Sequence, residues 1–512
     1  MKHSPGWTRR DVLKRAALAV PALAALPSLA EALEPEPAAP PAPPAPSAAR
    51  GPLNVIVVGA GLAGLAAAYE LVALGHTVTV LEAQLRPGGR IHTLREPFAE
   101  GLHAEAGAID FADGNRHCMR YVKAFDLPTA TLAARPAEAP VYHLRGKRLP
   151  GKAGSRPDWP FALTAEEKSL GINGMFGKYF APVDKIGDPT DPAWRPEPWK
   201  SFDALTLAEF LKRQGASSEA VELLGDVLWF GYGWSKVSAL HRLLSDVVLF
   251  CEGQSSKMIP GGNDRLPRAF ARALGDRIRY GVPVVKVFQE PGRARVVFRV
   301  GQDEQSLTGD RVILTAPCPA LRQVQFVPEL PARKRQIWER LEYNPVTRIY
   351  LQVKRRFWIE AGDAGSAFTD LPIQLVNEQP VIRPAGQGPR GILECHVKGA
   401  EAARLAGLDE KARLAFAVDN LEKVYPGFKD HYETGTSYCW SADPWTGGGY
   451  AWWKPGQLTD WRPELARPEG RLHFAGEHTS MLSRTIEGAL ESGNRAASEV
   501  HRAPRPLSPL EG

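Results

Sequence analysis

Three glycines in Gly59-Ala60-Gly61-Leu62-Ala63-Gly64 stand at a spacing that suits a pyrophosphate. The first permits a tight turn, the second lets backbone approach the phosphates, and the third lets a helix pack closely on its strand. The bare N–H groups at the start of that helix then meet the phosphate charge. Glu82 falls at the end of the next apolar run, where a carboxylate bonds ribose hydroxyls. Gly59, Gly61, Ala63, Gly64, Glu82 and its neighbour Ala83 therefore form a candidate dinucleotide site. Arg86-Pro87-Gly88-Gly89-Arg90 follows directly, adding a second glycine pair and two arginines that a nicotinamide enzyme does not need.

The elements that must position these residues are legible in the same stretch. Asn54 to Val58 is a β-branched run, Leu62 to Leu74 an Ala/Leu-rich helix ended by Gly75, and Thr77 to Leu81 a second strand. This βαβ unit predicts a parallel sheet with its ligand at the carboxyl ends of the strands. Further strands are expected at Ile278 to Val287, Arg295 to Val300, Arg311 to Thr315, Thr347 to Lys354 and Leu472 to Ala475, with a polar turn over Gly301 to Thr308. Helices are expected at Thr206 to Arg213, Ser218 to Leu228, Asp409 to Val424 and Thr485 to His501.

At 512 residues, two joined domains are the natural expectation. The net charge of +6 is mild and scattered, which argues against a nucleic-acid partner. Five widely spaced cysteines, with no CxxC or His-rich grouping, indicate neither a disulfide framework nor a metal site. Thr8-Arg9-Arg10-Asp11-Val12-Leu13-Lys14 precedes a short, proline-interrupted apolar run. Residues 1–32 resemble a twin-arginine signal peptide, which predicts export of the folded protein to the periplasm or the medium. Residues 33–51 read as a Pro/Ala-rich linker. No other stretch reaches membrane-spanning length, so the mature chain is expected to lack a transmembrane segment.

The Arg86–Arg90 segment resembles the second fingerprint of the flavin amine oxidase family. Glu105-Ala106-Gly107-Ala108, Ile259 to Pro267, Phe357-Trp358, Thr369 to Pro372, Pro455 to Gln457 and Phe474 to Glu477 match family stations in order. The resemblance spans about residues 52 to 500 and is nearest to the L-amino acid oxidase branch. It implies an α/β protein: a discontinuous Rossmann-like FAD-binding domain (52–125, 236–325, 436–503) and an inserted α+β substrate-binding domain (126–235, 326–435). It places Gly89 and Arg90 by the FAD phosphates, the Val284 backbone by the adenine, and Gly476 and Glu477 by the flavin side chain. Gly107, Ala108, Ile109, Ile486 and Glu487 would border the flavin ring. Gly449 stands where some relatives carry a ring-linking cysteine, so the FAD is expected to be noncovalent.

The implied chemistry is hydride loss from a carbon bearing a neutral amine, giving an imine that water hydrolyses. The expected partners are a small amine, with O2 or a soluble cytochrome as electron acceptor; a homodimer stays open. The substrate positions depart from the amino acid oxidase pattern. Asp110 stands where that branch keeps an arginine for the substrate carboxylate, His396 replaces a tyrosine, Arg484 a glycine and Thr485 a tryptophan. Arg348 replaces the usual lysine; it positions water at the flavin or serves a structural ion pair, but cannot act as a base. Tyr450 matches one wall of an aromatic cage, or packs in the core. His396 reads equally as a satisfied core histidine, and Asp110 and Arg484 either pair with each other or meet the substrate. The loss of the acid anchor favours plain amines over amino acids. Two alternatives remain: a flavin desaturase or oxidase of a carbon skeleton, and a catalytically silent FAD-binding partner protein.

Overall fold

The computed structural model describes residues 51–503, apart from 133–139, 150–156, 188, 190–193, 228–232, 251–254 and 381–387. The twin-arginine segment and nearly all of the Pro/Ala tract lie outside the described residues.

Three sheets organise the chain. The first is parallel, with strands in the spatial order Ile278–Arg279, Thr77–Leu81, Asn54–Val58, Arg311–Leu314 and Leu472–Phe474. Its three central strands are rich in β-branched residues and largely buried, as a helix-covered parallel sheet requires. Helix Leu62–Ala73 leaves the first strand through the glycine turn, and helix Ile486–Arg502 packs across it so closely that a Cβ at Gly493 would lie 2.3 Å from the Ala63 carbonyl oxygen.

A four-stranded sheet follows, ordered Asp303–Gly309, Arg293–Val300, Val284–Glu290 and Gln325–Val327. Two expectations need correction here. The single strand Ile278 to Val287 is two strands in different sheets, because Gly281 turns with φ +69° and Pro283 has no N–H to donate to a ladder. The polar turn over Gly301 to Thr308 is largely strand Asp303–Gly309, whose residues are mostly exposed at a sheet edge and so carry no apolar alternation.

The seven-stranded sheet holds the other wall of the site. Its order is Tyr432–Cys439, Val346–Val353, Gly391–Lys398, Leu375–Glu378, Ala367–Thr369, Val141–Leu144 and Lys147–Leu149. The central pair, Val346–Val353 against Gly391–Lys398, is buried throughout. Side chains alternate faces along a strand. Ile349, Leu351, Val353, Leu393, Cys395 and Val397 face helix Glu410–Val424 in one apolar cluster. The opposite face carries Arg348, Tyr350, Glu394, His396 and Lys398, a row of polar groups pressed against the first half of the chain. Buried polar groups demand partners, and this face finds them in the site.

Cys118, Cys318 and Cys395 are buried and unbridged, as is the half-buried Cys439. Among the described residues, no helix is long and apolar enough to cross a membrane, and no cluster of three metal-ligating side chains occurs.

Candidate active site

A cavity of about 710 Å³ runs from the glycine turn to the polar face of the seven-stranded sheet. Of the sequence-expected cofactor residues, Gly59, Gly61, Ala63, Glu82, Ala83, Gly89, Arg90, Gly107, Ala108, Ile109, Val284, Gly476, Glu477 and Ile486 line it. Gly64 and Glu487 do not. Gly64 packs helix onto strand: a Cβ there would fall 2.0 Å from the Gly59 carbonyl oxygen. The Glu487 carboxylate accepts the backbone N–H groups of His117 and Cys118 at 2.8 Å each, fastening the start of helix Arg116–Ala124.

The dinucleotide end fits its ligand. Gly59 has φ +106°, and no side chain caps helix Leu62–Ala73, so its first N–H groups point at the cavity mouth beside Gly61. Glu82 is fixed by the Ala60 N–H at 2.5 Å and the Gln84 N–H at 2.8 Å. Each of its oxygens keeps a lone pair for a hydroxyl.

Glu477, expected beside the cofactor, is a hub of hydrogen bonds within the protein. One oxygen accepts Arg90 Nη1 at 2.8 Å and the Ala451 N–H at 3.1 Å; the other accepts the Arg484 N–H at 2.9 Å. Burial opposes its charge, but Arg90, followed by His478 and these donors, holds its carboxyl below the usual range. Arg90 also donates to the Gly449 carbonyl at 3.0 Å.

At the other end, Arg348 proves to be a cross-link. Nη1 donates to the carbonyls of Glu105 and Gly107 at 2.6 Å each, and Nε meets Glu394 at 3.1 Å. Burial pulls its pKa down, but Glu394 together with Tyr350 and Tyr450 more than offsets that, so the guanidinium stays charged. Arg348 thus fixes the Glu105–Gly107 backbone that walls this end of the cavity. Beneath it, burial pushes Glu105 up to about 7, against donors from Asn263 and Thr93.

His396 is neutral, its pKa driven well down by burial and then by Arg348, Lys398 and Arg484. Tyr450 accepts the Asn344 side-chain N–H at 3.0 Å, and the Arg484 guanidinium lies 5.0 Å above its ring. The expected cage wall is therefore met by a cation. Arg484 stands at φ +76°, a left-handed backbone conformation rare outside glycine. Thr485, expected at the opposite wall, borders the cavity but spends its hydroxyl as the N-cap of the last helix. It accepts the Gly488 N–H at 2.9 Å and donates to the Leu482 carbonyl at 2.7 Å.

Asp110 does not pair with Arg484. It lines the cavity with its surface exposed there, and desolvation raises its pKa while Ser256 and Arg348 partly oppose the rise. Trp440 and Trp445 also line the cavity, Trp440 bonding the Ala106 carbonyl at 2.6 Å.

Two groups escaped sequence reasoning, Glu394 and Lys398. Both share a strand face with His396 at two-residue spacing, a signal readable once that strand is recognised. Lys398 lines the cavity, and its pKa falls to about 8 through burial and the charges of Arg484, Arg348 and Arg242, against Tyr450.

The comparisons with known proteins agree with this geometry. The model of the flavin containing amine oxidoreductases matches residues 62–501. YobN of Bacillus subtilis (strain 168) is 32% identical, the match covering 88% of this chain and 95% of that protein. The L-amino-acid oxidase of Bothrops pauloensis is 28% identical, over 88% of this chain and 90% of that one. Among solved structures, putrescine oxidase bound to putrescine superposes with a TM-score of 0.73 at 23% identity, covering 88% of this chain and 99% of the other. Cyclohexylamine oxidase from Brevibacterium oxydans IH-35A gives 0.72 at 22%, covering 88% and 98%. No cysteine is among the described residues that line the cavity. The chain belongs to the flavin-containing amine oxidoreductases, and it is an FAD-dependent enzyme.

Proposed function

We propose that this enzyme oxidises the C–N bond of an amino acid, anchoring the α-carboxylate on Arg484. The observation that carries the reading is Arg484 itself: a guanidinium stacked on Tyr450 inside the cavity, with its backbone held in a strained conformation by Glu477. Strain of this kind persists where the surroundings over-determine it, and it clusters at functional sites. The loss of the family's arginine at position 110 is thereby met by an arginine from another loop. Asp110 borders the same cavity, and desolvation shifts its pKa upward against Ser256 and Arg348. The likeness to an enzyme named L-amino-acid oxidase points the same way.

The bound FAD supplies the hydride acceptor for this chemistry. The protein's own part is orientation and exclusion of water. Arg348 holds the Gly107 carbonyl in place, Tyr450 and Arg484 orient the substrate, and the neutral His396 offers a ring nitrogen without adding charge. The imine leaves to be hydrolysed, and electrons pass to O2 or to a soluble cytochrome. The Thr8–Lys14 signature supports export by the twin-arginine route to the periplasm or the medium.

The test is Arg484→Gly, which removes the cation and relaxes the backbone together. A lost charge-assisted contact of about 1.5–3 kcal/mol raises KM for an amino acid about 10- to 150-fold more than KM for the corresponding decarboxylated amine. An equal effect on both substrates contradicts the anchor.

A further inference from the structure

We infer that Asn263 is a positioning residue for the cofactor: it turns the peptide between Ala108 and Ile109 so that the Ile109 N–H faces the cofactor cavity as a donor to the flavin ring. This rests on the placement of residues 107–109 beside that ring, which the family resemblance implies. It holds for an amine or an amino acid substrate alike.

Asn263 is buried, and the two ends of its amide are used in opposite senses. Its Oδ1 accepts the Ile259 N–H at 2.9 Å, while Nδ2 donates to the Ala108 carbonyl at 3.1 Å and the Ile109 carbonyl at 2.7 Å. A flipped amide would set Oδ1 against two carbonyls and an NH2 against the Ile259 N–H, so the orientation is fixed. The loop around it is held as well. The Asn263 backbone N–H donates to Glu105 Oε1 at 2.8 Å, and Thr93 Oγ1 donates to Oε2 of the same carboxylate at 3.0 Å. The loop packs so closely on Thr93 that a Cβ at Gly262 would fall 2.6 Å from its Cγ2.

Every carbonyl from Glu105 to Ile109 accepts a side-chain donor from a distant element. Arg348 takes Glu105 and Gly107 at 2.6 Å each, Trp440 takes Ala106 at 2.6 Å, and Asn263 takes the last two. In a trans peptide the N–H points opposite to the C=O. Ala108 and Ile109 line the cavity and Asn263 does not, so the N–H opposed to the Ala108 carbonyl is directed to the cavity side. Among the described residues, no group accepts the Ile109 N–H. A half-buried backbone donor of this kind finds its acceptor in the occupant of the cavity. Hydride transfer brings one negative charge to the ring, and hydrogen bonds to charged acceptors are the stronger ones. Asn263 accordingly favours the reduced state of the cofactor without touching it.

The experiment compares the FAD-loaded wild-type enzyme with Asn263→Leu, which keeps the side chain's bulk and removes its donors. The midpoint potential of the bound flavin is measured anaerobically against reference dyes, with FAD affinity and the thermal midpoint alongside. The expected result is a reduced-to-oxidised ratio at least about tenfold lower at a given potential, the lower end of the worth of one hydrogen bond to a charged group. For a two-electron couple that is a midpoint more negative by about 30 mV or more. An unchanged potential, whatever happens to stability, overturns the inference, because packing alone does not distinguish the two redox states. Should Asn263→Leu fail to fold or to hold FAD, amide exchange in the wild-type holoenzyme decides. The peptide spanning residues 107–111 is expected to exchange more slowly when the flavin is reduced than when it is oxidised, and equal or faster exchange refutes the donor role.

Discussion

Glu477→Gln tests whether the cofactor clamp and the substrate anchor are one mechanical unit. The carboxylate serves three donors: Arg90 Nη1, the Ala451 N–H and the Arg484 N–H. A glutamine keeps the shape but has one acceptor end and one donor end. If its NH2 faces Arg90 and Ala451, two donors lose their acceptor and a buried guanidinium loses its counter-charge. If it faces Arg484, a single N–H loses its acceptor and the Arg90 ion pair weakens to a neutral contact. The second arrangement is the cheaper. It forgoes one bond to a charged group, about 1.5–3 kcal/mol. At about 1.36 kcal/mol per decade, that is about 10- to 150-fold. The Arg484 backbone, at φ +76°, then loses the bond that holds its strained conformation. The variant is accordingly expected to show a raised KM for the substrate and a faster loss of FAD on gel filtration, both moved together. The assay is steady-state kinetics beside flavin content after desalting. Unchanged KM with normal flavin retention would refute the coupling. The carboxylate also sets a pH limit. Its folded pKa lies below the unfolded value, so its stabilisation is present above that unfolded value and is lost as pH falls through the folded one.

Three further outcomes follow from the same geometry. Gly64→Ala places a methyl 2.0 Å from the Gly59 carbonyl, forcing helix and turn apart; FAD affinity, titrated by flavin fluorescence, falls by at least about tenfold, and unchanged affinity contradicts the cradle. Thr485→Ala removes an N-cap rather than a cage wall, so the thermal midpoint drops by the equivalent of about 1 kcal/mol while KM changes less than twofold; a large KM change would restore Thr485 to the pocket. Lys398 lines the cavity and is charged below about pH 8, so KM for an amino-acid substrate rises as pH climbs through that value, and Lys398→Arg flattens the rise.

What the sequence makes legible follows from how local each signal is. The βαβ unit, the glycine turn and Glu82 lie between positions 54 and 82 and need no distant partner, and the observed strand bounds Asn54–Val58 and Thr77–Leu81 match the reading. Strand Gly391–Lys398 is invisible to the same method, because a strand buried on both faces has no exposed residues to mark its period. Its loss conceals Glu394 and Lys398, two titratable groups on the polar face of that sheet. Asp303–Gly309 fails for the opposite reason, being polar on both faces. Whether Asp110 meets Arg484 depends on two loops more than 370 residues apart, which no spacing rule relates. The lean towards plain amines comes from positions 110 and 396, where the residues that serve a substrate carboxylate in the amino acid oxidase branch are replaced. Arg484 over Tyr450, with Lys398 beside them, turns the proposal towards amino acids.

The most direct test of the central claim is anaerobic reduction of the bound flavin, followed as bleaching of its absorbance, by amino acids paired with their decarboxylated amines. The account predicts that the amino acids bleach the flavin and that each does so at lower concentration than its amine. Bleaching by the amines alone would contradict it, and would assign Asp110 rather than Arg484 as the group that selects the substrate.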